Sequence, residues 1–475
     1  MNNAHRPYPP PPRRQLQVSE RRLLLMIGDV IAILLAVLLA LGVWVIVDNR
    51  GLGFRFILTH SYWFPILAAI WLLIASANDF YNLRITAHID TSLLRLAQVT
   101  SQIVVVYLVI FFFSPRAALP RLFIFYYAVL SFVFIVIWRV ARPALFGRTA
   151  ARRALVIGSG WTANTMIEAL RQEAPDDYDV IGLIIESRES PPNDSLVPMI
   201  GTSTDLLTVA RRENVAELIL AHGSELSGEM FQSIMDCYEQ GFSIVPMPLL
   251  YEQVTGRVPV EHVGQRYWTT MLPIEGTSIF DPYPLLKRAM DILSALVGLF
   301  FFLLLLPFIA LAMYLDSPGP IFYRQERVGQ GGRIIKVIKL RSMIPDAERE
   351  SGPKWATEDD PRITRMGKLM RKTRLDEVPQ FFNVLRGDMS LIGPRPERPQ
   401  FVQDLSQNIP FYRTRHVVKP GITGWAQVRY PYGSSEEDAL MKLQYDLYYI
   451  RHHSLALDLL IMLRTVGKML SFQGT

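Results

Sequence analysis

Five long apolar stretches constrain this chain more than any other feature of its sequence. From Leu23 to Val47 only Asp29 is charged, and a run of that length suits a helix that spans a bilayer. A secretory signal has a shorter apolar region, so an uncleaved anchor is expected. Further apolar segments lie near Tyr62–Ala77, Leu96–Phe113 and Leu122–Trp138. Arg13, Arg14, Arg21 and Arg22 precede the first, and Arg139, Arg142, Arg148, Arg152 and Arg153 follow the fourth. Because basic residues stay on the cytoplasmic side, both ends of a four-helix transmembrane bundle over residues 21–145 should face the cytoplasm. A soluble helical core is the poorer alternative, since soluble helices rarely stay apolar on every face.

The fifth stretch, Ala289 to Leu315, also has spanning length, but its flanks argue against a crossing. Lys287 and Arg288 stand before it and Arg324, Glu326 and Arg327 soon after, which places both flanks on the same side. Pro307 lies in its interior, where a missing donor and a ring clash kink or break a helix. A re-entrant helix over 285–315 that enters and leaves on one face satisfies both facts.

With 475 residues the chain has room for about three domains. Half the residues are hydrophobic, yet the formal charge is +6, which fits membrane burial beside anionic partners. Charge alone does not choose between lipid and nucleic acid; the apolar stretches favour lipid, and no nucleic acid is expected. A single cysteine, Cys237, excludes an intrachain disulfide framework, and no Cys/His cluster offers a zinc site. Residues 1–20, with Pro9 to Pro12, are too poor in apolar residues to pack and are expected to be a disordered tail.

Over 150–262 short β-branched runs alternate with amphipathic stretches, the pattern of a Rossmann-like α/β domain. Ala154–Ile157 reads as the first strand and Val180–Ile185 as the second. The turn Gly158-Ser159-Gly160-Trp161-Thr162-Ala163 matches the dinucleotide fingerprint with alanine in place of its last glycine. Gly158 and Gly160 either let backbone amides approach a nucleotide phosphate or simply join strand to helix, and Glu186 could take a ribose hydroxyl. A nicotinamide oxidoreductase would need a Tyr-x-x-x-Lys pair downstream, and none stands between Trp161 and Gln265.

Chemistry-bearing residues crowd between Ile321 and Val428, where a dense set of cations, among them Lys339, Arg341, Arg371, Arg395 and Arg415, can hold several phosphates. In Arg362–Lys372, Ile363, Met366, Leu369 and Met370 recur at helical spacing against a basic face, as for a helix lying on anionic lipid. Thr373 and Asp376 have capping-box spacing, which puts Asp376 in a first helical turn. There the helix dipole with Arg371 and Arg374 should keep its carboxylate ionised, and an ionised carboxylate facing a phosphate is a nucleophile. Adjacent helical residues diverge, so Asp376 and Glu377 must divide roles; one attacks while the other orients it or helps hold a metal, Mg2+ by its oxygen preference. From position alone the pair also reads as a helix cap without chemistry. Trp425 is a candidate for base stacking or, with the better claim, for packing.

Five motifs follow in order: Lys336-Val337-Ile338-Lys339-Leu340-Arg341-Ser342-Met343, Leu375-Asp376-Glu377, Asn383-Val384-Leu385-Arg386-Gly387-Asp388-Met389-Ser390, Gly393-Pro394-Arg395-Pro396, and Lys419-Pro420-Gly421-Ile422-Thr423-Gly424-Trp425-Ala426-Gln427-Val428. Together they resemble the bacterial polyprenyl-phosphate hexose-1-phosphate transferases, the monotopic phosphoglycosyl transferases, in the long form that carries a helical bundle and a Rossmann-like domain. The resemblance implies an α-rich catalytic domain over 281–475 that uses a UDP-hexose donor and an undecaprenyl phosphate acceptor, in the bacterial cytoplasmic membrane with its active site facing the cytoplasm. It implies catalysis by Asp376 and Glu377 through a phosphosugar-aspartate, with Mg2+ at the pair and phosphate held by Lys339, Arg341, Arg371 and Arg395. Asp446 falls at an acidic position of the family, or is a surface acid on an amphipathic helix. Lys287, Arg288 and Asp291 match the charged entry of the re-entrant helix. Leu306 stands where serine often precedes the helix-breaking proline, Arg374 where a small polar residue often precedes Leu-Asp-Glu, and Arg429-Tyr430 where Asn-Gly is common. A homodimer through the bundle or middle domain is compatible with the sequence, although no residue argues for it.

Overall fold

The computed structural model describes residues 18–47, 61–81, 89–113, 123–146, 151–186, 194–221, 226–262, 281–345, 347, 360–431, 433 and 435–470. The expected tail falls outside them, apart from the first residues of the first helix. The chain divides into two compact units, Met1–Thr255 and Gly256–Thr475.

In the first unit, α1 (Val18–Val47), α2 (Trp63–Ala77), α3 (Ile89–Phe113) and α4 (Phe123–Phe146) form the bundle. α1, α3 and α4 are long and apolar enough to cross a membrane, whereas α2 is shorter. Its core gathers Ile33, Val37, Leu67, Trp71, Ile103 and Tyr127. Asp29, the one charge in the first apolar run, is buried and accepts from Arg139 Nη2 at 2.8 Å, joining α1 to α4. Gly28 makes that approach possible, since a Cβ there would lie 2.0 Å from the Trp138 ring.

The same unit holds a parallel five-stranded sheet of β1 (Arg152–Ile157), β2 (Tyr178–Ile185), β3 (Met199–Thr202), β4 (Glu217–Leu220) and β5 (Ser243–Pro246), in the order β3-β2-β1-β4-β5. Crossover helices α5 (Gly160–Glu173), α6 (Leu206–Arg212) and α7 (Gly228–Glu239), with α8 (Met247–Thr255) after the last strand, cover it. Each face has its own apolar core, which is why the strands read as unbroken apolar runs rather than alternating ones. Gly158 and Gly160, with φ of 130° and 70°, make the turn from β1 into α5. Glu186 does not wait for a ribose there: its Oε1 accepts the Ser227 amide at 2.8 Å, at the start of α7.

The second unit is built on α9 (Tyr283–Asp316), a helix of 34 residues. It runs on through Pro307, so any change of direction there is a bend within one helix rather than a break between two. Asp291, Ala295, Leu299, Phe302, Ile309 and Met313 form a buried stripe along its length. The opposite face, including Leu293, Phe300, Leu304, Phe308 and Leu311, is apolar and exposed. An antiparallel hairpin, β6 (Phe322–Val328) and β7 (Ile334–Leu340), follows. Then come α10 (Arg365–Thr373), a 3-10 turn Leu375–Gln380, and α11 (Phe381–Arg386). A short parallel pair, β8 (Ser390–Ile392) with β9 (Gly421–Thr423), encloses α12 (Pro399–Asn408) in sequence. α13 (Trp425–Arg429), α14 (Glu436–His452) and α15 (Leu455–Leu470) complete the unit.

Candidate active site

The turn that carries Asp376 and Glu377 begins where α10 is stopped. Arg374 adopts a left-handed φ of 57°, which ends one helix and starts the next turn. The expected Thr373–Asp376 capping box does not form, because Thr373 belongs to the end of α10. Its hydroxyl donates back to Leu369 O at 2.9 Å and Met370 O at 3.2 Å. Asp376 and Glu377 are nevertheless both buried, at 8% and 6% exposure, deeper than a helix cap needs.

Glu377 is the electrostatic centre. Its Oε1 accepts from Arg395 Nη2 at 2.6 Å and from Lys339 Nζ at 3.2 Å, and its Oε2 lies 3.7 Å from Arg374 Nη1. Burial pushes this carboxyl up, but Arg395, Lys339 and Arg374 outweigh it and hold Glu377 below the usual carboxylate range. Asp376 goes the other way. Burial and then the negative Glu377 push it up to about 6, against the pull of Lys339, Arg371 and Arg395. At neutral pH Asp376 is ionised but poorly solvated, the condition that raises the reactivity of a carboxylate.

Lys339 projects from β7, and burial lowers its pKa despite Glu377. Asn383 fixes that strand, accepting from Ile338 N at 3.1 Å and donating to Lys336 O at 2.8 Å. Arg371 Nε donates to Ser342 Oγ at 2.9 Å, which holds its guanidinium near Asp376. Arg395 leaves the loop after β8, where backbones touch: a Cβ on Gly393 would sit 2.3 Å from Lys419 O, and one on Gly421 2.1 Å from Gly393 N. The glycines of two motifs are thus explained by one close approach.

Arg341 is placed differently from the expectation. Its Nε donates to Pro320 O at 2.7 Å and its Nη groups to Ser317 Oγ at 3.0 Å and Ser317 O at 2.5 Å. A cation at the carbonyl end of α9 satisfies orphan acceptors and opposes the helix dipole, so Arg341 is a clamp on that helix rather than a phosphate ligand. Lys287, Arg288 and Asp291 fasten its other end. Lys287 Nζ meets Asp458 Oδ2 at 3.1 Å, Arg288 donates to Val384 O and Leu385 O at 2.7 and 2.9 Å, and Asp291 Oδ1 accepts from Ser390 Oγ and Leu391 N at 2.9 Å each.

Asp446 is no surface acid, for it is buried at 2% exposure. Its Oδ2 accepts from Arg415 Nη2 at 2.6 Å, and the same nitrogen donates to Arg395 O at 3.1 Å. A line of polar contacts therefore runs from Asp446 through Arg415 to the backbone of Arg395 and on to Glu377. Arg415 entered the sequence reading only as one cation of the phosphate-holding set, and Asn383 only as part of a motif; neither had the positioning role seen here. Trp425 is buried, stacked on Tyr448 with its Nε1 donating to Gly256 O at 3.1 Å, and packs rather than presenting a free face.

A buried carboxylate raised in pKa beside a second one fixed by three cations is a site for displacement at a phosphorus or carbonyl centre. The sequence profile described as bacterial sugar transferase matches residues 282–472, which encloses every residue of this site. An exopolysaccharide production protein PSS of Rhizobium leguminosarum bv. phaseoli is 41% identical over 189 residues, 38% of this chain and 93% of that one. The chain belongs to the bacterial sugar transferase family. This sugar transferase is a phosphoglycosyl transferase by that membership. It is 42% identical over 251 residues to a UDP-N-acetylgalactosamine-undecaprenyl-phosphate N-acetylgalactosaminephosphotransferase of Aeromonas hydrophila, 53% of this chain and 57% of that one. It is 29% identical over 449 residues to a UDP-glucose:undecaprenyl-phosphate glucose-1-phosphate transferase of Escherichia coli (strain K12), 90% of this chain and 92% of that one. A second profile, described as CoA-binding domain, matches residues 76–248 of the transferase.

Proposed function

We propose that this protein moves a hexose-1-phosphate from a UDP-sugar to undecaprenyl phosphate through a covalent intermediate on Asp376. The observation that carries the reading is the dyad itself, a buried Asp376 raised to about 6 beside a Glu377 clamped by Lys339 and Arg395. An Asp376 oxygen bonds to the sugar-bearing phosphorus as the bond to the bridging oxygen breaks, and UMP leaves with that electron pair. An oxygen of the lipid phosphate then attacks the same phosphorus and releases Asp376. Glu377 keeps the cations in place before the donor arrives, and Lys339, Arg371 and Arg395 spread the charge of the phosphates. Asp446 and Arg415 hold the Arg395 backbone.

A magnesium ion fits Asp376 and the phosphate oxygens of the donor better than an Asp376–Glu377 pair, since both Glu377 oxygens face cations. When bound it neutralises charge on the diphosphate. The donor sugar is read from a panel, because the two relatives above name N-acetylgalactosamine and glucose respectively.

Three functional parts are assigned: a bundle over 21–145, a Rossmann-like domain over 150–262 whose Gly158–Gly160 turn would face any nucleotide, and the catalytic domain over 281–475. The catalytic domain sits on the cytoplasmic face with α9 re-entrant. Support comes from the buried stripe of α9 and from the ties at both its ends, at Lys287–Asp291 and Ser317. A straight helix of 34 residues is about 51 Å long, and a domain bound along all of it cannot stay on one side of a crossed bilayer.

Intact-protein mass of the wild type and Asp376→Asn, exposed to UDP-sugars with magnesium and no lipid, tests the reading. A hexose-phosphate adduct on the wild type alone is expected. No adduct with any sugar, together with UMP release once polyprenyl phosphate is added, would remove Asp376 as nucleophile.

A further inference from the structure

Arg395 stands between two prolines, and the chain around it is held by its carbonyl oxygens. Pro394 and Pro396 have no N–H to donate, so a regular strand ladder cannot fix this stretch. Four successive carbonyls accept instead. Pro394 O takes the Gly421 amide at 2.9 Å, Arg395 O takes Arg415 Nη2 at 3.1 Å, Pro396 O takes Arg327 Nη1 at 3.1 Å, and Glu397 O takes the Val328 amide at 2.9 Å. Arg327 belongs to β6, and its guanidinium is aimed from both sides. Nε and Nη2 donate to Gln325 Oε1 at 3.1 and 2.6 Å, while Nη1 also reaches Glu397 Oε2 at 3.4 Å. Burial lowers its pKa to about 10 against the pull of Glu397, so it remains a cation at neutral pH.

The ladder pairs β6 with β7, Arg327 opposite Ile335, and β7 carries Lys339. One hairpin thus bears on both Lys339 and Arg395, which meet Glu377 Oε1 at 3.2 and 2.6 Å. It holds Lys339 on its own strand and reaches Arg395 through the carbonyl of the very next residue, Pro396. Without Arg327 that carbonyl loses this donor, and the hairpin's main-chain grip begins only at Glu397. We infer that Arg327 is a positioning residue for the transfer, setting where the Arg395 guanidinium stands against Glu377 and the donor phosphate. The inference rests on the reading of Arg395 as a phosphate-holding cation proposed above. Arg327 acts through Arg395, since its own nitrogens face Gln325, Pro396 and Glu397. A displacement of about 1 Å at such a site costs on the order of a hundredfold in rate.

A double-mutant cycle on the full-length protein in detergent tests it. The readout is single-turnover UMP release with undecaprenyl phosphate and the UDP-sugar that the wild type turns over, which measures slow variants as well as fast ones. Arg327→Met should lower the saturating rate about tenfold to a hundredfold, with the half-saturating donor concentration changed by less than about threefold. Arg327→Lys keeps the charge and one donor but not the fork, and it should recover part of that rate. In an Arg395→Lys background, where the group being positioned is already altered, Arg327→Met should cost less than about threefold more. The same factor in both backgrounds is what a merely structural residue would give, and it overturns the inference; so does an unchanged saturating rate in Arg327→Met. If the methionine variant does not melt cooperatively, Arg327→Lys takes its place in the cycle with the same outcomes. Failure of the covalent mechanism would appear separately, as a missing adduct on the wild type, because the cycle compares rates of UMP release and needs no adduct.

Discussion

Asp376→Asn should make the protein inactive and more stable at once. In the folded protein this carboxyl is raised from 3.8 to about 6, and at about 1.36 kcal/mol per pKa unit that rise is worth roughly 3 kcal/mol. The sign follows from proton uptake: the folded state binds the proton more tightly, so stability falls as pH rises from about 4 to about 6 and stays lowered above. Asparagine has the same shape and no charge, and it removes the penalty wherever wild-type Asp376 is ionised. For a domain of this size, about 2–3 kcal/mol corresponds to a Tm rise of about 4–10 °C. Thermal unfolding of both proteins in detergent, followed by intrinsic fluorescence at pH 7.5 and at pH 4, measures it. The variant should melt higher at pH 7.5, and most of the gap should close at pH 4, where Asp376 is protonated in the folded state and close to half protonated in the unfolded state. A variant that melts no higher at pH 7.5, or a gap unchanged at pH 4, would refute the account of a desolvated nucleophile.

Asp446→Asn strands Arg415 without its counter-charge in a buried place, which should cost about 3–5 kcal/mol; circular dichroism melts check this, and a cost under about 1 kcal/mol would show that the pair is not needed. Arg341→Lys should lower Tm by loosening α9 while leaving the donor KM unchanged, and a rise in that KM would return Arg341 to the phosphate site. The donor half-reaction, followed as exchange of labelled UMP into the UDP-sugar, should fall below pH 6 as Asp376 takes up its proton; a rate flat from pH 5 to 8 would contradict the assignment. Chelation by EDTA should stop the same exchange and magnesium should restore it, whereas full exchange in EDTA would show that the protein cations suffice.

The apolar helices and the Rossmann-like sheet were legible because each follows from a single local rule, length of apolar run in one case and β-branched runs between amphipathic helices in the other. The motifs pointed to the site for a related reason, since their glycines and Asn383 mark backbone approaches that only a few residue types permit. Arg341 misled because a cation in a basic stretch looks the same whether it meets a phosphate or a helix end; the reversal of the chain at Ser317–Pro320 decides it. The Thr373 cap misled because spacing does not reveal the left-handed backbone of Arg374. The raised pKa of Asp376 was out of reach because charges are visible in a sequence and desolvation is not.

The buried stripe of α9 limits how this protein can be taken apart. Gly298 lets Phe381 press directly on the helix, where a Cβ would stand 2.3 Å from the ring, and Leu299, Phe302, Ile309 and Met313 pack with Leu340 and Met370. The helix is therefore one wall of the catalytic core and not a tether. Cutting it away to make a soluble enzyme would remove four of the six buried residues of that cluster, so the helix and the catalyst hold together as one piece.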